Sequence, residues 1–328
     1  MKIGVVVLNY NGWQDTIACV ESVLASSEPP VWVIIVDNSS TNDSIRWLRH
    51  WAAGNLEFAL SELGAPSSYP KPLALLDIVT EEAPNSFPGG VVLLRRRRND
   101  GYAAGNNAGI RLLMRWGADA VWILNNDTIV DRDALGAMAR RLFSKARPGL
   151  CGSLLRYTEG EKLVQCRAGG YLNKWTALSS LDGNMEDVAV ALSIDPAIVE
   201  QRINYICGAS VMASRAFIEQ VGLMDESYFL YCEERDWACR ANGRFDFAYA
   251  PDALVYHKEG GSTDFSHNKF KLRPVLSLIR SRLLLTAKHN PIGLPIACFS
   301  IIYAALRMVW RRLVRRSAAT KKQLQSQA

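Results

Sequence analysis

The seven cysteines of this 328-residue chain, at positions 19, 151, 166, 207, 232, 239 and 298, form no Cys-x-x-Cys pair and follow no regular spacing. That excludes a zinc site of ordinary ligand spacing and a disulfide frame, and it predicts reduced, mostly buried thiols of a cytosolic protein. The start, Met1 to Val7, lacks the longer apolar region and small-residue cleavage site of a secretory signal. The uncharged run Ile292 to Leu306 stops short of the roughly 20 apolar residues that a spanning helix needs. Gly101 and Gly105 do not reproduce the dinucleotide fingerprint, and Asn9-Tyr10-Asn11-Gly12 supplies no glycine-rich phosphate loop after the first strand. Those two absences argue against a dinucleotide fold and a nucleotidyltransferase. Arg95 to Arg98 have no interleaved aromatics, which argues against a base-stacking nucleic-acid module.

What is present is an ordinary globular composition, 49% hydrophobic, with a net charge of +6 gathered into clusters. Arg95 to Arg98 form one; Arg307, Arg311, Arg312, Arg315, Arg316, Lys321 and Lys322 form the other. Such clusters suit an anionic partner, whether membrane, nucleic acid or phosphorylated ligand.

The first third alternates strand and helix patterns, which predicts an α/β fold with a mostly parallel sheet. Lys2 to Leu8 is the first strand and ends in the Asn9 to Gly12 turn; Val31 to Val36 is the second and ends on Asp37-Asn38-Ser39-Ser40. A Pro-, Gly- and Ser-rich stretch from 54 to 90 lacks sustained periodicity and reads as an insertion on the sheet, with room for a hairpin. After a strand at Val91 to Leu94, the small residues Ala104, Gly105, Ala108 and Gly109 give one helix face a close approach to a backbone or a ligand. The run Ala120 to Leu124 then stops on Asn125-Asn126-Asp127-Thr128. A parallel strand covered on both faces delivers its polar end to the edge where α/β sheets bind ligands, and Asp127 with Asn125 makes a small platform for a divalent cation. The plain alternative is a turn before a helix at Asp131 to Ser144.

Further on, Asn173 to Ala197 reads as irregular, and Tyr205 to Met212 as one core strand. Glu233, Glu234 and Asp236 open a helix that runs to Asn242. Acids are favoured in a first turn by the helix dipole, yet five carboxylates among Tyr, Phe and Trp between Gly222 and Trp237 are costly to bury. An aromatic-lined carboxylate has a raised pKa, which suits a general base. Phe245 to Ala250 is a strand, and His257 precedes Gly260-Gly261-Ser262, a loop able to wrap a phosphate.

In this order the motifs resemble glycosyltransferase family 2: inverting enzymes with a nucleotide-diphosphate-sugar donor and an A-type glycosyltransferase fold, with the closest likeness to rhamnosyltransferase-like members. The resemblance spans about residues 2 to 265 and implies a catalytic domain over 1–265, followed by a basic helical segment over 266–328. It implies that Asp37 contacts the donor base with Asn9, Tyr10 and Asn11, and that Asn99, Gly101, Tyr102, Gly105, Asn106 and Asn126 lie beside the donor, a dTDP- or UDP-sugar. Asn125 and Asp127 take the place of the family's D-x-D, with His257 as a further metal contact for Mg²⁺ or Mn²⁺. Glu234 would be the general base, with Glu233 and Asp236 beside it. Two departures stand out: Asn125 replaces the first acid, and Glu occupies the base position where Asp is commoner.

The C-terminal part reads as an amphipathic helix, Phe270 to Lys288, then the apolar run with arginines following. That suits a peripheral place on the inner face of the plasma membrane; the alternative is packing on the catalytic domain or on a second copy of the chain in a homo-oligomer. The expected activity is transfer of a sugar, with rhamnose the named candidate, to a glycan or lipid-linked acceptor in bacterial surface polysaccharide synthesis. The rival is a non-catalytic nucleotide or nucleic-acid binding protein.

Overall fold

The computed structural model describes residues 1–56, 59–60, 65–66, 70–79, 83–158, 162–258 and 272–303. Strand β1 (Ile3–Asn9) is followed by helix α1 (Trp13–Leu24), β2 (Trp32–Asp37) and α2 (Ser44–Ala52). The stretch read as an insertion holds a short antiparallel pair, β3 (Ala59–Leu60) and β4 (Ala65–Pro66), and a strand β5 (Leu75–Val79). β5 extends the main sheet by pairing with β6 (Gly90–Arg95). Then come α3 (Tyr102–Arg115), β7 (Ala120–Asn125), β8 (Thr128–Val130), α4 (Ala134–Phe143) and β9 (Pro148–Tyr157).

The large sheet runs β5-β6-β2-β1-β7 with parallel neighbours. It continues through β14 (Ser210–Ser214), antiparallel to both β7 and β9, to β15 (Asp246–His257), parallel to β9, and ends on β8. Val5 and Val7 face the α1 and α4 side of the core, while Val6 faces α3. Helices cover both faces, which is why these strands are apolar on both. The mostly parallel sheet flanked by helices is the fold expected from the sequence.

β10 (Val164–Arg167) adds to β9, and a small sheet of β11 (Gly169–Asn173), β12 (Leu178–Leu181) and β13 (Tyr205–Ile206) stands beside it. The expected single strand over 205–212 is in fact two, in different sheets, broken at Cys207-Gly208-Ala209. The segment read as irregular, Asn173 to Ala197, contains β12 and a short helix, α5 (Val188–Ser193), and ends on the start of another, α6 (Pro196–Arg202); the side chains of Asp187 and Asp195 cap the two helices. α7 (Arg215–Val221) precedes the acidic turn, α8 (Glu233–Ala241) starts on it, and α9 (Leu272–His289) packs against α8.

The small face of α3 lies on the sheet. A Cβ on Gly105 would come 2.4 Å from Leu8 Cδ1, and one on Gly109 2.8 Å from Val6 Cγ1. Beyond α9, residues 294–303 are helical; Ala297 and Ile301 are buried while Ile292, Ile296, Phe299 and Ile302 are exposed. No helix among the described residues is long and apolar enough to cross a membrane. Gly260 to Ser262, the basic tail from Arg307 and the boundary at 265 lie outside the described residues.

Candidate functional site

The polar ends of β1, β2 and β7 stand in register, Asn9 beside Asp37 and Leu8 beside Asn125, so three apolar strands deliver their polar groups to one edge. At the first two, Asp37 is fully buried. Its Oδ1 accepts from Asn9 Nδ2 at 2.7 Å and from Ser40 Oγ at 2.6 Å, and its Oδ2 accepts from the Ser40 N–H at 3.1 Å. Asn9 Oδ1 in turn accepts from Thr16 Oγ1 at 2.9 Å. Asn11 joins through its N–H, which donates to Ser40 Oγ at 2.9 Å, whereas Tyr10 is exposed. Asn126 links this corner to β7: its Nδ2 donates to Gly12 O at 3.2 Å and Thr16 Oγ1 at 3.1 Å.

The pairing of β8 with β15 sets His257 opposite Thr128 and brings it to Asp127, 130 positions away in the chain. His257 Nε2 lies 3.1 Å from Asp127 Oδ1 and 3.4 Å from Asn125 Nδ2. Its other nitrogen, Nδ1, is 2.9 Å from Oε1 of the buried Gln165. With Nδ1–H donating to that oxygen, an imidazole lone pair and a carboxylate oxygen face one another and need a shared cation, proton or metal. Among the described residues no three His, Cys, Asp or Glu side chains form a metal cluster. One carboxylate, one imidazole and one amide still fit Mg²⁺ or Mn²⁺, which take their remaining ligands from substrate phosphates and water. Sequence reasoning missed Gln165.

The third group forms around α8. Gly101, at the start of α3, has φ +99°, and a Cβ there would sit 2.3 Å from Phe229 O, so only glycine lets the acidic turn come this close. The Tyr102 N–H donates to Phe229 O at 2.8 Å, and the Tyr102 hydroxyl donates to Gly208 O at 2.8 Å. Burial, with the charges of Glu233 and Glu234, holds the Tyr102 hydroxyl well above its ordinary pKa, so it remains a donor. The break in the strand pattern at Gly208 is what frees that carbonyl. Two successive residues before the helix, Tyr231 and Cys232, are left-handed, both at φ 71°; such strain gathers at functional sites.

Glu233 is 2% exposed, and burial, with the Glu234 charge adding, pushes its carboxyl up to about 8. The Glu234 side chain is 15% exposed, 3.5 Å from Arg235 Nε. Asp236 is placed differently: Oδ1 accepts from Tyr228 Oη at 3.3 Å and pairs with His289 Nε2 at 2.8 Å, and Oδ2 accepts from Arg240 Nε at 2.7 Å. Burial opposes its charge, but hydrogen bonds from His289 and Arg240 prevail and hold its carboxyl below the usual range. Those contacts make Asp236 an anchor for the turn. Cys207 lies between the two clusters: its thiol is lowered chiefly by a hydrogen bond from Cys166, with His257 assisting and Glu234 opposing.

The donor-side glycines and amides divide. Asn99 Oδ1 accepts from Asn38 Nδ2 at 2.9 Å and from the Gly101 N–H at 3.0 Å, fixing the entry to α3. Asn106 is buried with Nδ2 donating to Tyr102 O at 3.1 Å, and Gly105 faces Leu8. The arginine cluster is largely engaged within the chain. Arg95 pairs with Asp77 at 2.6 Å; Arg96 meets Asn38 Oδ1 at 2.6 Å and Asp100 at 3.0 Å; Arg98 meets Asp100 at 2.7 Å.

Neither a family model nor a curated protein sequence matches the chain. Solved structures do. GalNAc-T7 with UDP, GalNAc and Mn²⁺ superposes at a TM-score of 0.55, with 14% identity over 78% of this chain and 44% of that one. The mannosyltransferase PcManGT from Pyrobaculum calidifontis, in complex with GDP-Man and Mn²⁺, superposes at 0.53, with 15% identity over 97% of this chain and 79% of that one. This chain therefore spans under half of the first enzyme and most of the second. At such identities the likeness defines the fold, that of the A-type glycosyltransferases.

Proposed function

We propose that this protein is an inverting, metal-dependent glycosyltransferase of the family 2 kind, moving a sugar from a nucleotide-diphosphate donor to a hydroxyl of a glycan or lipid-linked acceptor. The observation that carries the reading is the Asp127–His257 pair at 3.1 Å, oriented by Gln165 at the carboxyl edge of the sheet. Asp127, His257 and Asn125 would hold a divalent cation, which supplies positive charge against the donor diphosphate. Asn9, Asn11, Asp37 and Asn126 shape the nucleotide end. Glu234 takes the proton of the acceptor hydroxyl, whose oxygen attacks the anomeric carbon as the bond to the diphosphate breaks, inverting the configuration. Glu233, protonated near neutral pH, is the poorer base of the two. UDP and GDP-Man in the two structural neighbours support a nucleotide-linked donor and Mn²⁺ a metal; dTDP-rhamnose heads the donors to test.

A panel of nucleotide-sugars with Mn²⁺ or Mg²⁺ tests this. Asp127→Ala should lose donor turnover, and Glu234→Gln should keep donor binding while losing about 10²- to 10⁴-fold in transfer. Normal transfer by both variants would falsify the assignment. The exposed row Ile292, Ile296, Phe299 and Ile302 supports peripheral membrane attachment; recovery of the protein wholly in the soluble fraction at low salt refutes it. The engagement of Arg95, Arg96 and Arg98 with Asp77, Asp100 and Asn38 disfavours the nucleic-acid reading.

A further inference from the structure

Resting on the transferase reading above, we propose that Arg235 and Arg282 form a binding site for a phosphate or diphosphate group carried by the acceptor. Arg235 directly follows Glu234 on α8, and its guanidinium lies 5.1 Å over the Tyr205 ring. One arm reaches Cys232 Sγ at 3.3 Å, while the buried Nε–H has no hydrogen-bond acceptor and meets Glu234 Oε1 only at 3.5 Å.

Arg282 approaches the same place from α9. That helix is tied to the acidic turn by Ser281 Oγ, which donates to Leu230 O at 2.9 Å, and by the His289–Asp236 pair. Its Nε–H is also buried without an acceptor, and among the described residues its guanidinium forms no ion pair. Burial, with the Arg235 charge adding, lowers the Arg282 guanidinium from its ordinary value. Two guanidiniums on packed helices, each with a buried Nε–H lacking an acceptor and with the charge of Arg235 felt at Arg282, are unfavourable unless another anion is shared, and their planar forks match phosphate oxygens.

The position decides whose phosphate it is. The donor diphosphate belongs with Asp127 and His257, whereas Arg235 adjoins Glu234, the group that receives the acceptor proton. Downstream of α9 the chain exposes Ile292, Ile296 and Phe299, a surface that suits an alkyl chain on the same acceptor. The ligand class is therefore an alkyl phosphate or diphosphate ester bearing a hydroxylated head.

Calorimetric titration of the full chain with geranyl diphosphate, without metal and with chelator present, tests the site. Wild type should bind. Arg282→Gln should weaken binding at least tenfold, Arg282→Lys should fall between, and Arg280→Gln, an exposed change on the same helix, should bind as wild type. UDP affinity with Mn²⁺ should be the same in all four. Arg282→Gln binding geranyl diphosphate as tightly as wild type would overturn the site, as would an equal loss of UDP affinity, which would assign the arginines to the donor. Inorganic pyrophosphate provides a second arm: Arg282-dependent binding as tight as that of geranyl diphosphate supports the anion site and rejects recognition of the chain. A wild type that binds geranyl diphosphate through Arg282 but none of UDP, dTDP and GDP with Mn²⁺ would reject the transferase reading while leaving the anion site standing.

Discussion

At the Asp37 corner polar groups answer one another, whereas at the Tyr231–Asp236 corner several buried ones go unanswered. Asn9, Asp37 and Ser40 exchange short hydrogen bonds at the ends of two strands whose apolar runs fix their height. Around the acidic turn, Glu233 Oε1, Arg235 Nε and Arg282 Nε are buried without hydrogen-bond partners, and two consecutive left-handed residues precede the helix. Each such backbone conformation costs about 1–3 kcal/mol and persists only where the surroundings over-determine it. Asp236, with Arg240, His289 and Tyr228 on its two oxygens, supplies that constraint. One corner is thus a platform whose polar groups are spent on its own shape, and the other retains charge and hydrogen-bonding capacity for substrate. Changes at the first should cost stability, and changes at the second should cost function or even add stability.

The largest effect expected on this basis is at Asp37. Asp37→Ala leaves the Asn9 amide and the Ser40 hydroxyl and N–H without their acceptor. At roughly 1–3 kcal/mol for each buried group left unsatisfied, the loss should reach about 3 kcal/mol or more in chemical denaturation. Glu234→Gln should change stability far less; comparable losses for the two variants would erase the distinction between the corners. Next in size is Gln165→Leu, which removes the group that orients His257. Mn²⁺ affinity, read by paramagnetic resonance titration, should fall about 10- to 100-fold. Affinity equal to that of wild type would show that the imidazole is oriented without Gln165.

The platform was readable in advance because its signal is local. Apolar runs ending on Asn9, Asp37 and Asn125 announce covered strands with polar ends, and these strands lie where the pattern put them. His257 beside Asp127 required the order of motifs along the chain, since the β8–β15 pairing that joins them leaves no local trace. Gln165 had no usable signal: it is one polar residue in a buried strand, and its partner is decided by how β9 and β10 lie beside β15. The break at Gly208 was hidden because Tyr205 to Met212 is apolar apart from Ser210, and periodicity does not register a chain leaving one sheet for another. The arginine cluster misled for a related reason. Asp77 sits on β5, inside the aperiodic stretch, so its claim on Arg95 could not be seen from charge alone.

The most discriminating change is at Glu233. Its folded-state carboxyl is raised from 4.5 to about 8 by burial, with Glu234 adding, so between those values the folded protein binds a proton that the unfolded chain has released. Stability from this group therefore falls as pH rises through that window and levels off above it. Gln carries no such proton, so Glu233→Gln should match wild type most closely below about pH 4.5 and gain on it steadily to about pH 8. The gain should appear as a rise in Tm of Glu233→Gln over wild type that widens with pH across this window. A difference in Tm that stays constant from pH 4.5 to pH 9 would mean that Glu233 is not held neutral, and the acidic turn would lose its strongest mark of stored cost. A widening difference combined with retained transfer would leave Glu234 as the base and make Glu233 the neutral neighbour that keeps a second negative charge away from it.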